Sequence, residues 1–351
     1  MSAVVAFFKK PFVRKYANYL VIALVMLLFG ALSATGNLKM GNQFLLEQIA
    51  IAMLLAISLG MVVGFLGELS LGHAGFMCVG AFLGGKISAV LTEAMGATQN
   101  NVLILLISLL VGGAVAALFG FIIGLPALRL RGDYLAIVTL AFGEIVRNVI
   151  MNMPASLFGA TLGLETPRFD RKYLFLIAFL AVLACLAVTQ NLIRSKHGRA
   201  IIAIKDNEIA ARATGIDITK YKLLVFTISS FFAGVAGVLS SYTQSRLQTT
   251  TFDYNYSIEI LVMVVLGGMG SINGSALAAA LITFINFKLQ TVLTGNLSVL
   301  QNVIYSLILI LIVIYRNAPG LKSFREKYNL KALLAKLQGG GGEKEDANEH
   351  E

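Results

Sequence analysis

Eight stretches of this chain contain no Asp, Glu, Lys or Arg: 16–38, 48–67, 69–85, 102–128, 174–193, 223–245, 260–287 and 289–315. Each is near or above the length that crosses a hydrocarbon core of ~30 Å. A further segment, 134–153, is apolar but carries Glu144 and Arg147. The 260–287 stretch is interrupted by Gly267-Gly268-Met269-Gly270-Ser271-Ile272-Asn273-Gly274, and reads as two helices around that break, near 257–272 and 275–292. The expectation is an all-α polytopic membrane protein of about ten transmembrane helices. Composition closes the other options. With 57% apolar and 13% charged residues, the chain has too little charge to cover a soluble domain and too much apolar content for disorder. A transmembrane β-barrel would alternate polar and apolar residues in short strands.

Charge orders these spans. Lys9, Lys10, Arg14 and Lys15 precede the first. Arg194, Lys196, Arg199, Lys205, Arg212, Lys220 and Lys222 crowd the 194–222 loop, and Arg316, Lys322, Arg325, Lys327, Lys331 and Lys336 follow the last. Lys and Arg accumulate on the cytoplasmic side of a membrane, so both termini and this loop are expected there. The resulting organisation is a cytoplasmic segment 1–15, six spans in 16–193, a cytoplasmic loop 194–222, four spans in 223–315, and a tail 316–351 that is basic, then acidic and partly disordered. The net charge of +10 is thus a topology signal, with anionic lipid rather than nucleic acid as its neighbour. No cleavable signal peptide is evident, because the first apolar run is long enough to span.

Catalytic chemistry is hard to find. The two cysteines, Cys78 and Cys185, lie in apolar spans and imply neither a disulfide framework nor a metal site. Gly80 to Ile87 nearly fits a phosphate-binding loop, but Ile87 has no hydroxyl for Mg²⁺ and the context is an apolar helix. Gly60/Gly64, Gly80/Gly84, Gly120/Gly124 and Gly270/Gly274 read better as small residues that let helices approach closely.

Ionisable and glycine-rich positions at membrane depth remain as candidates. Glu68, His73, Lys86, Glu144, Arg147, Glu259 and Lys288 qualify. Glu144 and Arg147, three apart, share one helix face and read as an intramembrane ion pair or as a face packed on another subunit. Glu68, His73 and Gly75 fall in one glycine-rich break, and Gly267, Gly268, Gly270 and Asn273 in another. Non-helical backbone at this depth must be buried in protein or line a cavity. The two breaks are therefore candidates for a translocation path, the alternative being tight cytoplasmic turns.

The 194–222 loop is unusually long for a helix–helix connection. Asp206 or Asn207 can cap a short helix within it, and Gly215 can end that helix. Such a helix would show Ile209 and Ala213 on one face, with Glu208 and Arg212 beside them, and would suit a groove on a soluble partner.

These residues resemble the cytoplasmic coupling loop of bacterial ABC importer permeases, whose pattern is Glu-Ala-Ala, three residues, then Gly. Ala210, Ala211 and Gly215 fit; Ile209 stands at the first position and the glutamate falls one residue early, at Glu208. The stretches 128–145, 198–215 and 266–274 together resemble the LivM-like permease subunits of branched-chain amino-acid importers, over roughly 45–315. Urea and short-amide permeases look similar in these stretches. The resemblance implies a subunit without catalysis or cofactor of its own, in a bacterial inner membrane. It would pair with a LivH-like permease, two cytoplasmic ATPase subunits and a periplasmic or extracellular binding protein. The residues 206–215, with Asp206, Glu208, Ala210, Ala211, Arg212 and Gly215, would receive the ATPase motion. A secondary transporter driven by an ion gradient would instead rely on an intramembrane carboxylate such as Glu144 or Glu259. A channel would need a filter, which the 267–274 stretch only faintly suggests.

Overall fold

The computed structural model describes residues 39–96, 100–130, 132–167 and 169–292, with isolated positions on either side. The expected segment 1–15, most of the first and last expected spans and the tail 316–351 lie outside the described residues. The chain divides into two compact units, Met1–Lys288 and Leu289–Glu351, and the contacts below belong to the first. Among the described residues, seven helical segments are long and apolar enough to cross a membrane.

In chain order the helices are α1 (Met40–Gly60), α2 (His73–Ala94), α3 (Val102–Ala127), α4 (Asp133–Met151), α5 (Arg171–Arg194), α6 (Lys196–Asp206), α7 (Glu208–Ala213), α8 (Ile218–Thr243), α9 (Tyr254–Gly267) and α10 (Ile272–Val292). A π-helical turn, Met61–Leu66, extends α1. The chain then leaves helix from Gly67 to Gly72, and again between α9 and α10. The segment 134–153 is α4, and the long 260–287 run resolves into α9 and α10. The latter is a full-length span, whereas α9 has 14 residues.

Two boundaries differ from the charge-free runs. α1 begins at Met40 rather than near 48, because Glu47 is wholly buried within the helix instead of marking its end. α2 continues past Lys86 to Ala94, with the Lys86 ammonium reaching out to the Ser156 carbonyl at 3.0 Å. A long side chain of this kind keeps its charge at a polar edge while its stem follows the helix.

α8 is the central element and packs against α1, α2 and α3. The crossings are made by glycines. A Cβ at Gly80 would lie 2.3 Å from the Gly234 carbonyl oxygen, and one at Gly237 2.0 Å from the Met77 carbonyl oxygen. The near-match to a phosphate loop, 80–87, is thus a packed stretch of α2. Outer faces of α3, α4 and α10 present Leu110, Ile122, Ile137, Ile145, Leu277 and Leu281 outward. Surfaces this apolar belong in contact with lipid or with other membrane subunits.

The two ends of the bundle differ. At one, a short antiparallel ribbon pairs β1 (Leu164–Glu165) with β2 (Arg246–Leu247), in the register Leu164↔Leu247 and Glu165↔Arg246. There the Thr166 hydroxyl donates to the Ser241 carbonyl at 2.6 Å, and the Asp170 amide donates to Asn100 Oδ1 at 2.5 Å. At the other end the Gly67–Gly72 break, the α9–α10 break and the α6–α7 helix pair come together.

Candidate functional site

The first break begins with Gly67 in a left-handed conformation, φ 78°, which closes the π-helical turn through hydrogen bonds back to the Val62 carbonyl. Only glycine takes that backbone routinely. Beyond it, neighbouring spans hold the non-helical backbone and the first turn of α2. The Leu71 amide donates to Thr139 Oγ1 at 3.0 Å, and the Ala74 amide donates to Ser257 Oγ at 3.1 Å. His73 is buried, with Nε2 2.8 Å from Ser58 Oγ, and the Ser229 hydroxyl donates to the Ser58 carbonyl at 2.6 Å. Gly75 lies against α4, where an added Cβ would be 2.5 Å from Gly143 Cα. His73 and Gly75 thus stand in close packing, and Glu68 lies at the cluster's polar edge.

The second break touches the first region directly. A Cβ at Gly64 would lie 2.6 Å from the Gly270 amide nitrogen. Gly268 and Gly270 have φ of 99° and 87°, and Ser271 caps α10 by accepting from the Gly274 amide at 3.1 Å. Gly270, Ser271 and Asn273 line a crevice of about 330 Å³ with Phe65, Gln190 and Arg194. Gly267 does not reach it, since its Cα packs on Ser275 in the first turn of α10. Of the path candidates, Gly270 and Asn273 face open space and Gly267, His73 and Gly75 are packed.

The helix pair is built as its caps dictate. Ser195 accepts from the Gly198 amide at the start of α6, and Asn207 Oδ1 accepts from the Ala210 amide, at 3.0 Å, at the start of α7. Asp206 is the last residue of α6, so Asn207 alone caps α7. Gly215, φ 84°, reverses the chain, and the Ile216 amide closes the helix onto the Ala211 carbonyl at 3.1 Å. Ala211 is buried against its own chain, whereas Ile209 is 76% exposed. The outward face of α7 is therefore Ile209, Ala210, Arg212 and Ala213.

Charge ties this pair to the first break. The Lys222 ammonium, on the second turn of α8 and 3% exposed, ion-pairs with Glu68 and lies 3.3 Å from Glu208 Oε2. Arg212 reaches the other Glu208 oxygen at 3.3 Å. The Lys205 ammonium donates to the Gly64 carbonyl at 2.7 Å. The sequence treated Lys205 and Lys222 as topology charges only, and nothing in one sequence signals that they reach the segment 64–68. Glu47 also escaped notice, because it ended an apolar run; among the described residues neither of its oxygens has a hydrogen-bond partner. On α4, Arg147 holds Glu144 through Nε at 3.0 Å and Nη2 at 2.7 Å, with about a quarter of each side chain exposed.

Comparison with known proteins places this arrangement. Residues 43–315 match the family described as branched-chain amino acid transport system / permease component. The chain belongs to that family. It is 38% identical over 263 residues to the high-affinity branched-chain amino acid transport system permease protein LivM of Salmonella typhimurium, covering 66% of this chain and 60% of the relative. The Escherichia coli LivM is 37% identical over the same shares. This chain therefore spans about 60% of the length of those relatives. The ribose import permease protein RbsC of Escherichia coli is 25% identical over 89% of this chain and 96% of its own length. No solved structure matches. Helices long and apolar enough to cross a membrane agree with membership of that family.

Proposed function

We propose that this chain is a transmembrane subunit of an ATP-driven importer, moving branched-chain, hydrophobic amino acids across a bacterial inner membrane by alternating access. The observation that carries this reading is α7, a capped helix that packs Ala211 on its own chain and turns Ile209, Ala210, Arg212 and Ala213 outward. A short exposed helix with small side chains can enter a groove on a partner while the spans stay packed. The LivM relatives support the substrate class, and the basic 194–222 loop supports placing α6 and α7, the first break and both termini on the cytoplasmic side. In this orientation the ribbon end faces outward, where a substrate-binding protein would dock. A second, LivH-like permease would cover part of the apolar outer surface, and two ATPase subunits would engage α7 and its counterpart. With the first and last charge-free runs of the sequence counted as spans, the proposed number is ten.

ATP-driven movement of α7 would shift the equilibrium between outward-open and inward-open states, provided the ATPase contacts differ between them. The crevice lined by Gly270 and Asn273 lies at the cytoplasmic end and suits an exit. The test is co-expression with the partner genes, purification from membranes and reconstitution. Retained ATPase subunits and ATP-dependent uptake of leucine, isoleucine or valine, in preference to urea or ribose, are expected. Uptake that follows an ion gradient without ATP would replace this reading with secondary transport. Preference for ribose or urea would retain the importer and change its solute.

A further inference from the structure

We propose that Lys222 is the positioning residue that links the α6–α7 helix pair to the Gly67–Gly72 break, its ion pairs with Glu68 and Glu208 transmitting displacement of α7 to the membrane-embedded backbone. The proposal rests on the importer reading and adds the route by which motion at the cytoplasmic helix enters the spans.

Three separate parts of the chain meet at this ammonium. Glu68 belongs to the non-helical segment after the π-helical turn, Glu208 opens α7, and Lys222 sits on α8, the element around which the bundle packs. Lys222 is 3% exposed, so water contributes little to its solvation and the two carboxylates supply it instead. A buried charge with a partner removed is strongly unfavourable. Arg212, on the outer side of Glu208, completes a group of two cations and two anions.

A second grip lies alongside. The last carbonyls of a helix lack partners within it. The Gly64 carbonyl, near the end of the π-helical turn, accepts instead from Lys205 at the end of α6. Lys205 and Lys222 bracket α7 in sequence, and both seize the segment 64–68. π-helical turns inside α-helices are frequent at functional sites. Moreover, Gly64 abuts Gly270, so a shift of this segment is felt at the second break and at the crevice beside it. Displacing α7 from α8 must either open the 3.3 Å contact of Glu208 with Lys222 or draw Lys222 away from Glu68.

The alternative role for Lys222 is neutralisation alone, and one pair of variants separates the two. Neutralisation alone means that Lys222→Met with Glu68→Gln, which strands no charge, restores both folding and transport. Transmission means that the double variant folds but stays uncoupled. The experiment uses the complete reconstituted transporter with its ATPase subunits and binding protein, reading ATPase retention, stimulation of hydrolysis by loaded binding protein, and uptake. Glu208→Gln and the double variant should retain the ATPase subunits, yet lose at least about fivefold in stimulated hydrolysis and in uptake per ATP, the lower range of measured coupling between sites. Lys222→Arg should keep most of both. Wild-type coupling in Glu208→Gln or in the double variant would overturn the proposal. So would loss of ATPase retention in Glu208→Gln, which would make Glu208 a direct partner contact. Wild-type chain that retains no ATPase subunits would overturn the importer reading itself, and this proposal with it.

Discussion

The crossing of α2 on α8 makes a quantitative test of how the spans hold together. In Gly80→Ala the new methyl carbon would sit 2.3 Å from the Gly234 carbonyl oxygen and 2.4 Å from Gly234 Cα. Comfortable separation between such atoms is about 3.5–4.0 Å, so the helices must part by more than an ångström. Both obstructing atoms are backbone, and no rotamer change relieves them. One inserted methyl group in a packed interior costs about 1–3 kcal/mol, and the absence of relief puts this site at the upper end. On the scale of soluble domains, about 3 kcal/mol lowers the melting temperature by roughly 6–12 °C. Gly41→Ala is the control, since nothing lies within 4 Å of its Cβ. A thiol-reactive fluorogenic dye supplies the assay. The only cysteines, Cys78 and Cys185, are fully buried, so the dye reports unfolding, and Cys78 lies half a turn from the substitution. Gly80→Ala melting together with wild type and Gly41→Ala would refute the close crossing of α2 and α8.

Other outcomes follow from the same geometry. Ile209→Asp, on the exposed face of α7, should leave the melting curve unchanged and reduce ATPase retention in pull-down. Ala211→Glu should instead lower folded yield, because Ala211 faces its own chain. Gly215→Val should weaken α7 by about 1–2 kcal/mol through its left-handed backbone alone, nothing else being within 4 Å, with lower uptake at matched expression as the readout. Glu144→Gln should reduce folded yield more than Glu144→Gln with Arg147→Gln, since the single change strands the Arg147 charge. In intact cells, a single cysteine at position 207 should resist an impermeant reagent after Cys78 and Cys185 are replaced.

The helices could be read from the sequence because hydrocarbon permits so few backbone solutions. Among the described residues, the long charge-free runs coincide with candidate spans, and the chain leaves helix at Gly67 and again at Gly268. The same rule failed at Glu47 and Lys86, where a charged residue continued a helix that a charge-free window cut short. The α7 helix was legible from Asn207 and Gly215, whose capping roles are local. Its orientation was not: that Ala211 turns inward and Ile209 outward depends on where α8 lies. The Lys222 cluster joins residues 14 and 154 positions apart, and a lysine that sets topology carries the same letter as one that binds a buried carboxylate.

The ribbon of β1 and β2 has a mechanical consequence. At that end, segments about 80 residues apart are joined by the backbone pairing Leu164↔Leu247 and by the Thr166 hydroxyl on the Ser241 carbonyl. Prising them apart means breaking the main-chain hydrogen bonds of the ribbon together with the Thr166 contact. At the opposite end the joints to 64–68 are made by two flexible lysine side chains, which can trade one acceptor for another as they swing. A bundle fastened in this way is pinned by paired backbone at the ribbon and by side chains at the lysines.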